Sequence, residues 1–467
     1  MITFIVCLLL LVTSYFTYGR YIERLFGINK DAKMPSETHF DGVDFVPMKR
    51  WKTFLIQLLN IAGLGPIFGA ILGATYGPVA FVWITLGGIL VGGIHDFASG
   101  YISMKMNGLS YPEIIGKYLG NNVKQVARGF IVLLMLLVGA VFMVGPAGIL
   151  NGLTGVDVSI WVWIILVYYF VATILPVDKI IGNIYPIFGF ALLFMAVGIM
   201  ISIFVNGHPV PELDFHNYKP NAESFPIIPT LFITIACGAV SGFHATQSPM
   251  MARCITNQKQ ARPVFFGAMI AESVIALIWA AIAMVFFDGV VGLNGALAAN
   301  GNNAAKIVDV IANTELGRIG GFLALLGVVA APISTGDTAF RSARLIIADF
   351  MKVDQKRIIK RLLISVPLFI VGFGITLIDF DILWRYFAWI NQTLAVATLW
   401  MATIYLASVH KNYKVALFPA IFMTFITTDY MFVSKQLAGL DYTLGSILAG
   451  VLTIVLVLYF ALKIKKL

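Results

Sequence analysis

Four ionisable side chains lie in stretches of sequence that are otherwise apolar. His95 and Asp96 are neighbours in one stretch, His244 lies in a second and Glu272 in a third. Burying such a group in an apolar medium is costly, so each of them is a candidate for a functional role. Because imidazole and carboxylate groups exchange protons, we predict that His95, Asp96 and Glu272 carry a coupling proton. The alternative is a static hydrogen-bonded group that holds helices together.

Amide side chains, glycines and prolines cluster in two of these apolar stretches. In residues 57–66 the cluster includes Gly63 and Pro66, and in residues 238–249 it includes Pro249. Proline removes a backbone amide and glycine loosens the helix, so we predict that each stretch contains a helix break. Unwound backbone inside a membrane is tolerated where it lines a polar cavity, and a half-helix N-terminus attracts anions. The predicted substrate-binding residues are Gln57, Asn60, Gly63, Gly65, Gly242, His244, Gln247 and Asn391.

A simpler interpretation of the first cluster is a kink beside a close-packing face. Gly65, Gly69, Gly73 and Gly77 are four residues apart, which is the spacing of small residues where two membrane helices touch. This interpretation accounts for the glycines but leaves the two amides at positions 57 and 60 without a role.

Residues 332–344 combine hydroxyl groups with an acid and a base. Ser334, Thr335 and Thr338 fall at helical spacing and their oxygens could bind a sodium-like cation, although such hydroxyls also bond to their own helix backbone. Asp337 and Arg341 are four residues apart and can pair on one helix face, so we predict an ion pair at a cytoplasmic gate. No cofactor is predicted besides a coupling ion, H⁺ or Na⁺.

The composition requires that these residues be positioned by membrane helices. The chain has 467 residues, of which 59% are hydrophobic and 12% charged, and its mean hydropathy is +0.90. A soluble domain carries roughly 25% charged residues, so this composition excludes soluble, disordered and nucleic-acid-binding classes of protein. Cys7, Cys237 and Cys254 have no paired spacing and are interpreted as small apolar side chains, neither disulfide nor zinc ligands.

Thirteen stretches are long and apolar enough to cross a bilayer as helices, for which about 20 residues are needed. They are residues 2–19, 53–75, 77–104, 126–150, 158–176, 182–205, 227–251, 263–287, 319–347, 362–378, 383–408, 414–433 and 442–462. The first is interpreted as an anchor helix because no cleavage site follows it.

The connections between these spans predict the orientation of the chain. Alternate connections, starting with the one after the first span, hold 27 of the 32 Lys and Arg residues. Because cytoplasmic loops retain positive charge, we predict an N-terminus outside and a cytoplasmic C-terminus. The other connections hold only Lys219, Lys306, Arg318, Arg385 and Lys435. One of the remaining loops, residues 288–318, is predicted to form a short surface helix.

The predicted fold is an all-α polytopic membrane protein with a five-plus-five inverted repeat. The two interrupted spans would be the first and sixth helices of this core, which is the pattern of secondary transporters. The predicted divisions are 1–51, an anchor helix and basic loop; 52–225, the first repeat with an external loop; 226–410, the second repeat; and 411–467, two accessory helices.

Six stretches of this sequence resemble the carbon starvation protein A family, in order and over nearly the whole chain. They are residues 60–77, 92–104 (GGIHDFASGYISM), 110–120 (SYPEIIGKYLG), 238–254 (GAVSGFHATQSPMMARC), 334–349 (STGDTAFRSARLIIAD) and 384–394 (WRYFAWINQTL). The resemblance implies a multi-pass carrier of the bacterial inner membrane, related to the amino acid, polyamine and organocation transporters. It also implies import of peptides or pyruvate during carbon starvation. The chain is shorter than many members of that family.

These observations together predict a secondary active importer, in which a coupling ion, more readily a proton than sodium, drives uptake of a small molecule. The alternative is a channel or facilitator for small organic anions without ion coupling. An enzyme is not predicted, because no nucleophile or metal ligand accompanies His95 and Asp96. The predicted partners are a pyruvate or short-peptide substrate and the lipid bilayer, with no nucleic acid; the oligomeric state is left open.

Overall fold

The computed structural model describes residues 1–29, 31–42, 44–174, 185–353, 355 and 357–465, and this part of the chain contains helices and no strand. The α-helices are α1 Ile2–Phe16, α2 Tyr18–Phe26, α3 Pro35–Thr38, α4 Arg50–Ala62, α5 Ala70–Ala74, α6 Val79–Val82, α7 Gly93–Lys105, α8 Tyr111–Leu119, α9 Asn121–Thr154, α10 Val158–Ile174, α11 Tyr185–Val205, α12 Phe232–Thr234, α13 Gly242–Ala252, α14 Gly267–Phe286, α15 Val290–Ala299, α16 Ala304–Ala324, α17 Ala331–Met351, α18 Ile358–Ile375, α19 Phe380–Ser408, α20 Lys414–Val433 and α21 Tyr442–Ile464. Five π-helical segments connect some of them: Gly65–Gly69, Trp83–Gly92, Ile227–Leu231, Arg262–Phe266 and Leu325–Ala330.

Nine helices of the described chain, or ten if one bent pair counts as a single span, are long and apolar enough to cross a membrane. The bent pair is Arg50–Ala62 with Gly65–Ala74, which corresponds to the second predicted span. Three of the thirteen predicted spans are not among these ten. They correspond to the shorter helix α10, to the interrupted segment that ends in α13, and to the segment that ends in α17. The protein is therefore an all-helical multi-pass membrane protein, and the count of thirteen and the inverted repeat stay predictions.

Several boundaries differ from those that hydropathy predicts. The first helical region continues past residue 19 as α2, which carries Arg20 and Arg24 on an amphipathic helix. The predicted surface helix in residues 288–318 is α15, and α16 follows it. Some residues used in these predictions lie outside the described residues. They are Lys30, Lys179, Lys356 and Lys466 of the basic count and residues 182–184 of the sixth predicted span.

Alternate connections meet at one end of the helix bundle. The Met48 amide donates to the Cys254 carbonyl at 3.0 Å, and Arg253 Nε donates to the Gly108 carbonyl at 2.9 Å. Arg253 and Arg341 also line one cavity there. We call this end the basic face, and the end that carries residues 206–226 the opposite face. The side of the membrane that each face occupies stays a prediction.

The basic face contains a charge cluster between α8 and the first turns of α9. Glu113 on α8 accepts from Lys124 Nζ at 2.6 Å and from Arg128 Nη2 at 2.8 Å. Partial burial favours the neutral acid, but these hydrogen bonds and positive charges outweigh it and hold the pKa of Glu113 below its ordinary value. The cluster joins α8 to the first turns of α9.

The interrupted segments lie inside the bundle. α4 packs against α11, α13 and α14, while α13 packs against α7 and α19. The long helix α9 runs along α17, and α20 and α21 pack on the outside of α19. Apolar residues fill these contacts, so the polar side chains of α4, α7, α13 and α14 are enclosed by protein rather than by lipid.

Candidate functional site

The first break separates α4 from α5. α4 ends at Ala62, and Gly63 adopts φ 36° and ψ −133°, a conformation that favours glycine. The π-helical turn Gly65–Gly69 follows, with Pro66 contributing no amide, and the two halves are bent by 51°. The predicted break is confirmed, and the glycine and proline that predict it are the residues that form it.

The second break is longer and covers residues 235–241, between α12 and α13. Gly238 has φ 91°, and Ser241 is extended before α13 begins at Gly242. Side chains from other helices satisfy the carbonyls that the unwinding frees. Gln392 Nε2 donates to the Phe232 carbonyl at 2.6 Å, and Trp83 Nε1 donates to the Ile235 carbonyl at 3.3 Å. This support permits irregular backbone within an apolar bundle.

The two breaks touch each other directly. A Cβ placed on Gly65 would lie 2.1 Å from Cys237 Cβ, and one placed on Gly238 would lie 3.7 Å from Pro66 Cα. No side chain larger than hydrogen fits at Gly65 unless the backbones separate. The close-packing role of the glycines is therefore present here, between the two interrupted segments.

Four buried ionisable residues form a continuous chain beside the second break. His95 Nδ1 lies 2.7 Å from Asp96 Oδ1, and His244 Nδ1 lies 2.9 Å from Asp96 Oδ2. On the other side of the same ring, His244 Nε2 lies 3.3 Å from Glu272 Oε2. All four side chains are completely buried. We call this set the relay.

Asp96 determines which ring nitrogens carry protons. Each of its two oxygens faces one Nδ1, so both histidines donate from Nδ1 when the carboxylate is ionised. His244 Nε2 is then left to bind or release a proton opposite Glu272. These two groups are in ion-pair contact but are not aligned as a hydrogen bond.

The structure thus brings together the three residues predicted for proton coupling and adds His244 to them. The position of His244 in the sequence, within the cluster at residues 238–249, associates it with the second break and with substrate. Its contacts associate it with Asp96 on α7 and Glu272 on α14. Because α13 begins two residues earlier, His244 lies in the first turn of the half-helix and belongs to both features.

Three of the amide side chains predicted to bind substrate have hydrogen-bonding atoms that are not used within the described part of the chain. Both polar atoms of Gln57 and both of Asn60 are buried without a partner in the described part of the chain, and so is Gln247 Oε1. Buried polar atoms are nearly always paired in proteins. These five atoms are therefore free to pair with a polar ligand, and the role of these residues in substrate binding stays a prediction.

Asn391 has a different arrangement from the other predicted substrate residues. Its Oδ1 accepts from the Phe243 amide at 2.7 Å and from the Ser241 hydroxyl at 3.0 Å. It therefore caps the first turn of α13, where backbone amides have no partner within the helix. Gly242 lets the two helices approach, since a Cβ there would lie 2.4 Å from the Asn391 carbonyl oxygen.

The hydroxyl groups of α17 bond mainly to their own helix. Ser334 donates to the Ala331 carbonyl at 2.6 Å, and Thr338 donates to the Thr335 carbonyl at 2.8 Å. Thr335 also reaches the Leu59 carbonyl at 3.2 Å, in the last turn of α4 before the first break. The sodium site that these residues predict stays a prediction.

The predicted Asp337 and Arg341 pair is present, with Nη2 and Oδ2 3.6 Å apart. The same Nη2 donates to the Ala172 carbonyl of α10 at 3.2 Å. The arginine therefore joins α17 to α10, and its role as a gate stays a prediction.

Cys237 is the residue of the site whose importance the sequence does not reveal. Its thiol, a ring nitrogen of His244 and a Glu272 oxygen all lie within 4.8 Å of one another, a grouping that could hold a metal ion. The thiol also lies 3.6 Å from both the Ser241 hydroxyl and Asn391 Nδ2. We interpret it as part of the contact between the breaks. Gln392 and Trp83, which support the second break, likewise become recognisable only in three dimensions.

The fold is shared with solved membrane transporters. The Eremococcus coleocola manganese transporter, crystallised with an aromatic bis-isothiourea substituted compound, superimposes with a TM-score of 0.57 over 94% of this chain and 99% of that one, at 14% identity. MhsT in complex with L-phenylalanine gives a TM-score of 0.53 over 87% and 98% of the two chains, at 15% identity. Likeness at such identity concerns the fold alone. Together with the two breaks, it defines the class of fold as one shared with solved membrane transporters.

Within that class, the sequence matches the profile of the carbon starvation protein CstA family over residues 1–154 and 144–320. The chain belongs to this family, as the resemblance predicts. A Haemophilus influenzae membrane protein without an assigned function is 40% identical over 351 residues, which are 64% of this chain and 95% of that protein.

Relatives with named functions are more distant. The peptide transporter CstA of Campylobacter jejuni is 26% identical over 64% of this chain and 52% of its own length. The pyruvate/proton symporter BtsT of Escherichia coli is 25% identical over 57% of this chain and 46% of its own length. The aligned region thus spans about half of these two relatives.

Proposed function

We propose that the protein is a proton-coupled secondary transporter that imports a small carboxylate, pyruvate or a short peptide, across the bacterial inner membrane. The observation that carries the proposal is the relay. Four fully buried ionisable groups connect α7, α13 and α14 next to the unwound segment 235–241. Ionisable groups enclosed in a membrane protein mark proton and ion pathways.

The proton is carried by His244 Nε2 and Glu272. In one state the proton is on Nε2, and an imidazolium faces a carboxylate at 3.3 Å. In the other it is on Glu272, and both groups are neutral. Asp96 holds the His244 ring in place through Nδ1 in both states. Movement of α13 relative to α14 changes the geometry of the contact between His244 Nε2 and Glu272. This change couples the position of the proton to the conformational change.

Substrate binds beside the contact between the two breaks. The partner-free amides of Gln57 and Asn60 on α4 supply donors and acceptors from one side, and Gln247 supplies an acceptor from the other. A carboxylate is common to pyruvate and to the C-terminus of a peptide, and it is favoured near the positive end of a half-helix such as α13. The names of the two distant relatives, a peptide transporter and a pyruvate/proton symporter, support this substrate class.

The test is uptake of labelled pyruvate and of labelled dialanine into proteoliposomes that contain the full chain. An inward proton gradient of one pH unit should concentrate the transported substrate about tenfold for one proton per substrate, because each 1.4 kcal/mol changes an equilibrium tenfold. A sodium gradient of the same size, at equal internal and external pH, should have no effect. Accumulation driven by sodium alone would instead favour the hydroxyls of α17 as the coupling site.

Glu272→Gln tests the relay. This variant should let substrate equilibrate across the membrane but not accumulate, because the proton acceptor opposite His244 is lost. The matched control is Asp429→Asn, which removes a buried carboxylate that bonds to Ser446 on α21, away from the relay. Wild-type accumulation by Glu272→Gln would refute the role of the relay. Equilibration without accumulation by the wild type would identify a facilitator.

A further inference from the structure

A cavity of 280 Å³ lined by both charged and apolar side chains opens at the opposite face, and we call it the vestibule. Its walls include Tyr76 beyond α5, Thr230 and Thr234 of the segment before the second break, and the N-terminal part of α19. Residues of the loop 219–225 and the end of α20 close it. The vestibule therefore lies between the outer halves of both interrupted segments, on the path from that face to the breaks.

The charge of the vestibule is unusual for its end of the molecule. The connections predicted to lie outside hold five basic residues in all, and three of these, Lys219, Arg385 and Lys435, line this one cavity. Asp381 is the one acidic residue among the described residues that line it, and it pairs with Arg385. Lys219 and Lys435 are left without a balancing carboxylate in the lining. A cavity with this excess concentrates anions.

Lys219 is held in a fixed position at the wall of the vestibule. Its Nζ donates to Thr75 Oγ1 at 3.1 Å and lies 5.6 Å and 5.8 Å from the ring centres of Tyr76 and Phe225. The ammonium group has three N–H donors, so this geometry leaves donors for a ligand. Because the position is set by contacts on several sides, little side-chain entropy remains to be lost on binding.

The electrostatic surroundings of Lys219 come from several elements. Burial lowers its pKa to about 8, with Asp381 raising it and Arg385 lowering it. Tyr76 and Tyr430 are the other ionisable groups near it in the lining, besides Lys435. The amine is thus charged at neutral pH, but a bound anion would interact with a poorly solvated cation.

Trp384 adds a hydrogen-bond donor at the inner end. Its side chain is 3% exposed, it lines the vestibule, and its buried Nε1 has no hydrogen-bond partner among the residues that the structure describes. The ring packs at a tilt against Phe68 and Phe387, and Phe387 contacts Phe142, whose ring covers Gly63 at the first break. These aromatic side chains form a layer between the vestibule and the breaks.

We propose that the vestibule is a capture site for the carboxylate of a small organic anion, which Lys219 and the Trp384 indole N–H bind before the aromatic layer opens. Lys435 adds positive potential at the rim. The volume is just below the usual range of ligand pockets, about 300–1,000 Å³, so it suits a small acid or a dipeptide rather than a longer peptide. The identity of the captured anion as the transported substrate rests on the proposed function; the anion site itself does not.

The first experiment measures protection of Lys219 in sealed membrane vesicles that contain the full chain and present the opposite face to the medium. A membrane-impermeant acylating reagent is applied at pH 8 without an ion gradient, and mass spectrometry follows labelling of individual lysines. Pyruvate at about ten times its Kd should slow labelling of Lys219 about tenfold, since about a tenth of the sites remain empty. Pyruvamide, the neutral analogue, should not protect, and labelling of the exposed Lys306 should not change. Equal labelling of Lys219 with and without pyruvate would overturn the site.

The second experiment separates capture from the later steps of transport. Lys219→Gln should raise the KM for uptake about tenfold and leave kcat unchanged, which is the effect of losing one hydrogen bond to a charged group. Lys219→Arg should restore most of the affinity, and Trp384→Phe should raise KM by a smaller factor. Lys306→Gln, which removes a basic residue that is not part of the lining, is the matched control.

The outcomes distinguish the capture site from the proposed function. Protection without gradient-driven uptake would overturn the proposed function and leave the anion site standing. Uptake driven by a proton gradient, with no protection of Lys219, would support the proposed function and overturn the anion site. Protection combined with an unchanged KM in Lys219→Gln would overturn the role of the site in capture.

Discussion

The contact between the two breaks makes Gly65→Ala the most direct test of this architecture. The new Cβ would lie 2.1 Å from Cys237 Cβ and 2.4 Å from its Sγ. Non-bonded carbon atoms pack at about 3.5–4.0 Å, so the segments must separate by about 1.5 Å. Overpacking of this kind costs about 1–3 kcal/mol. Because Gly65 is not in the left-handed region, the substitution tests the contact and not the backbone conformation.

The assay is equilibrium unfolding of the purified full chain in detergent, with uptake measured in parallel. Gly65→Ala should lower the free energy of unfolding by about 1–3 kcal/mol and reduce uptake. Gly450→Ala is the matched control, because a Cβ there meets nothing within 4 Å. Cys237→Gly removes both atoms that the new methyl group meets, so the double variant should recover much of the loss, as a non-additive pair. If Gly65→Ala behaves like Gly450→Ala, the two breaks do not touch as described.

Three further predictions follow from individual contacts. The KM for uptake should rise as the pH at the opposite face passes about 8, the pKa of Lys219, because deprotonation removes the cation; a KM profile should show this, and Lys219→Arg should abolish it. Asn391→Ala should lower the free energy of unfolding by about 1–2 kcal/mol, since the Phe243 amide loses its cap; denaturant unfolding measures this, and no change would contradict the capping role. Glu113, whose pKa is lowered, should contribute stability above its unfolded pKa of about 4.3 and lose it as pH falls through the folded pKa. Because the group is partly exposed, Glu113→Gln should remove at most about 1 kcal/mol, seen as a flatter stability curve on the acid side.

The features that could be predicted from the sequence are local ones. A run of apolar residues is enough to indicate a membrane helix, and Gly63 with Pro66 is enough to indicate the first break, because backbone chemistry acts within a few residues. The same holds for the Asp337 and Arg341 pair, whose spacing places both on one helix face. The alternation of basic connections likewise predicts which loops share an end of the bundle.

The features that could not be predicted depend on residues far apart in the chain. His244 faces Asp96 across 148 residues, and no local pattern relates the two. Trp83 and Gln392 support carbonyls of the second break from other helices, a role that neither neighbourhood in the sequence indicates. The helix boundaries near the π-helical segments also differ from the predicted ones, because hydropathy reports burial in lipid and not the hydrogen-bond pattern of the backbone.

The position of Cys237 also gives the protein a natural reporter of its conformation. The thiol is buried against Gly65 where the interrupted segments meet, while Cys7 and Cys254 are buried elsewhere. A membrane-permeant alkylating reagent can reach Cys237 only when the interrupted segments separate, so the alkylation rate measures how often this separation occurs. With Cys7 and Cys254 replaced by alanine, substrate and pH could then be compared as agents that open or close the centre of the molecule, without introducing any foreign label.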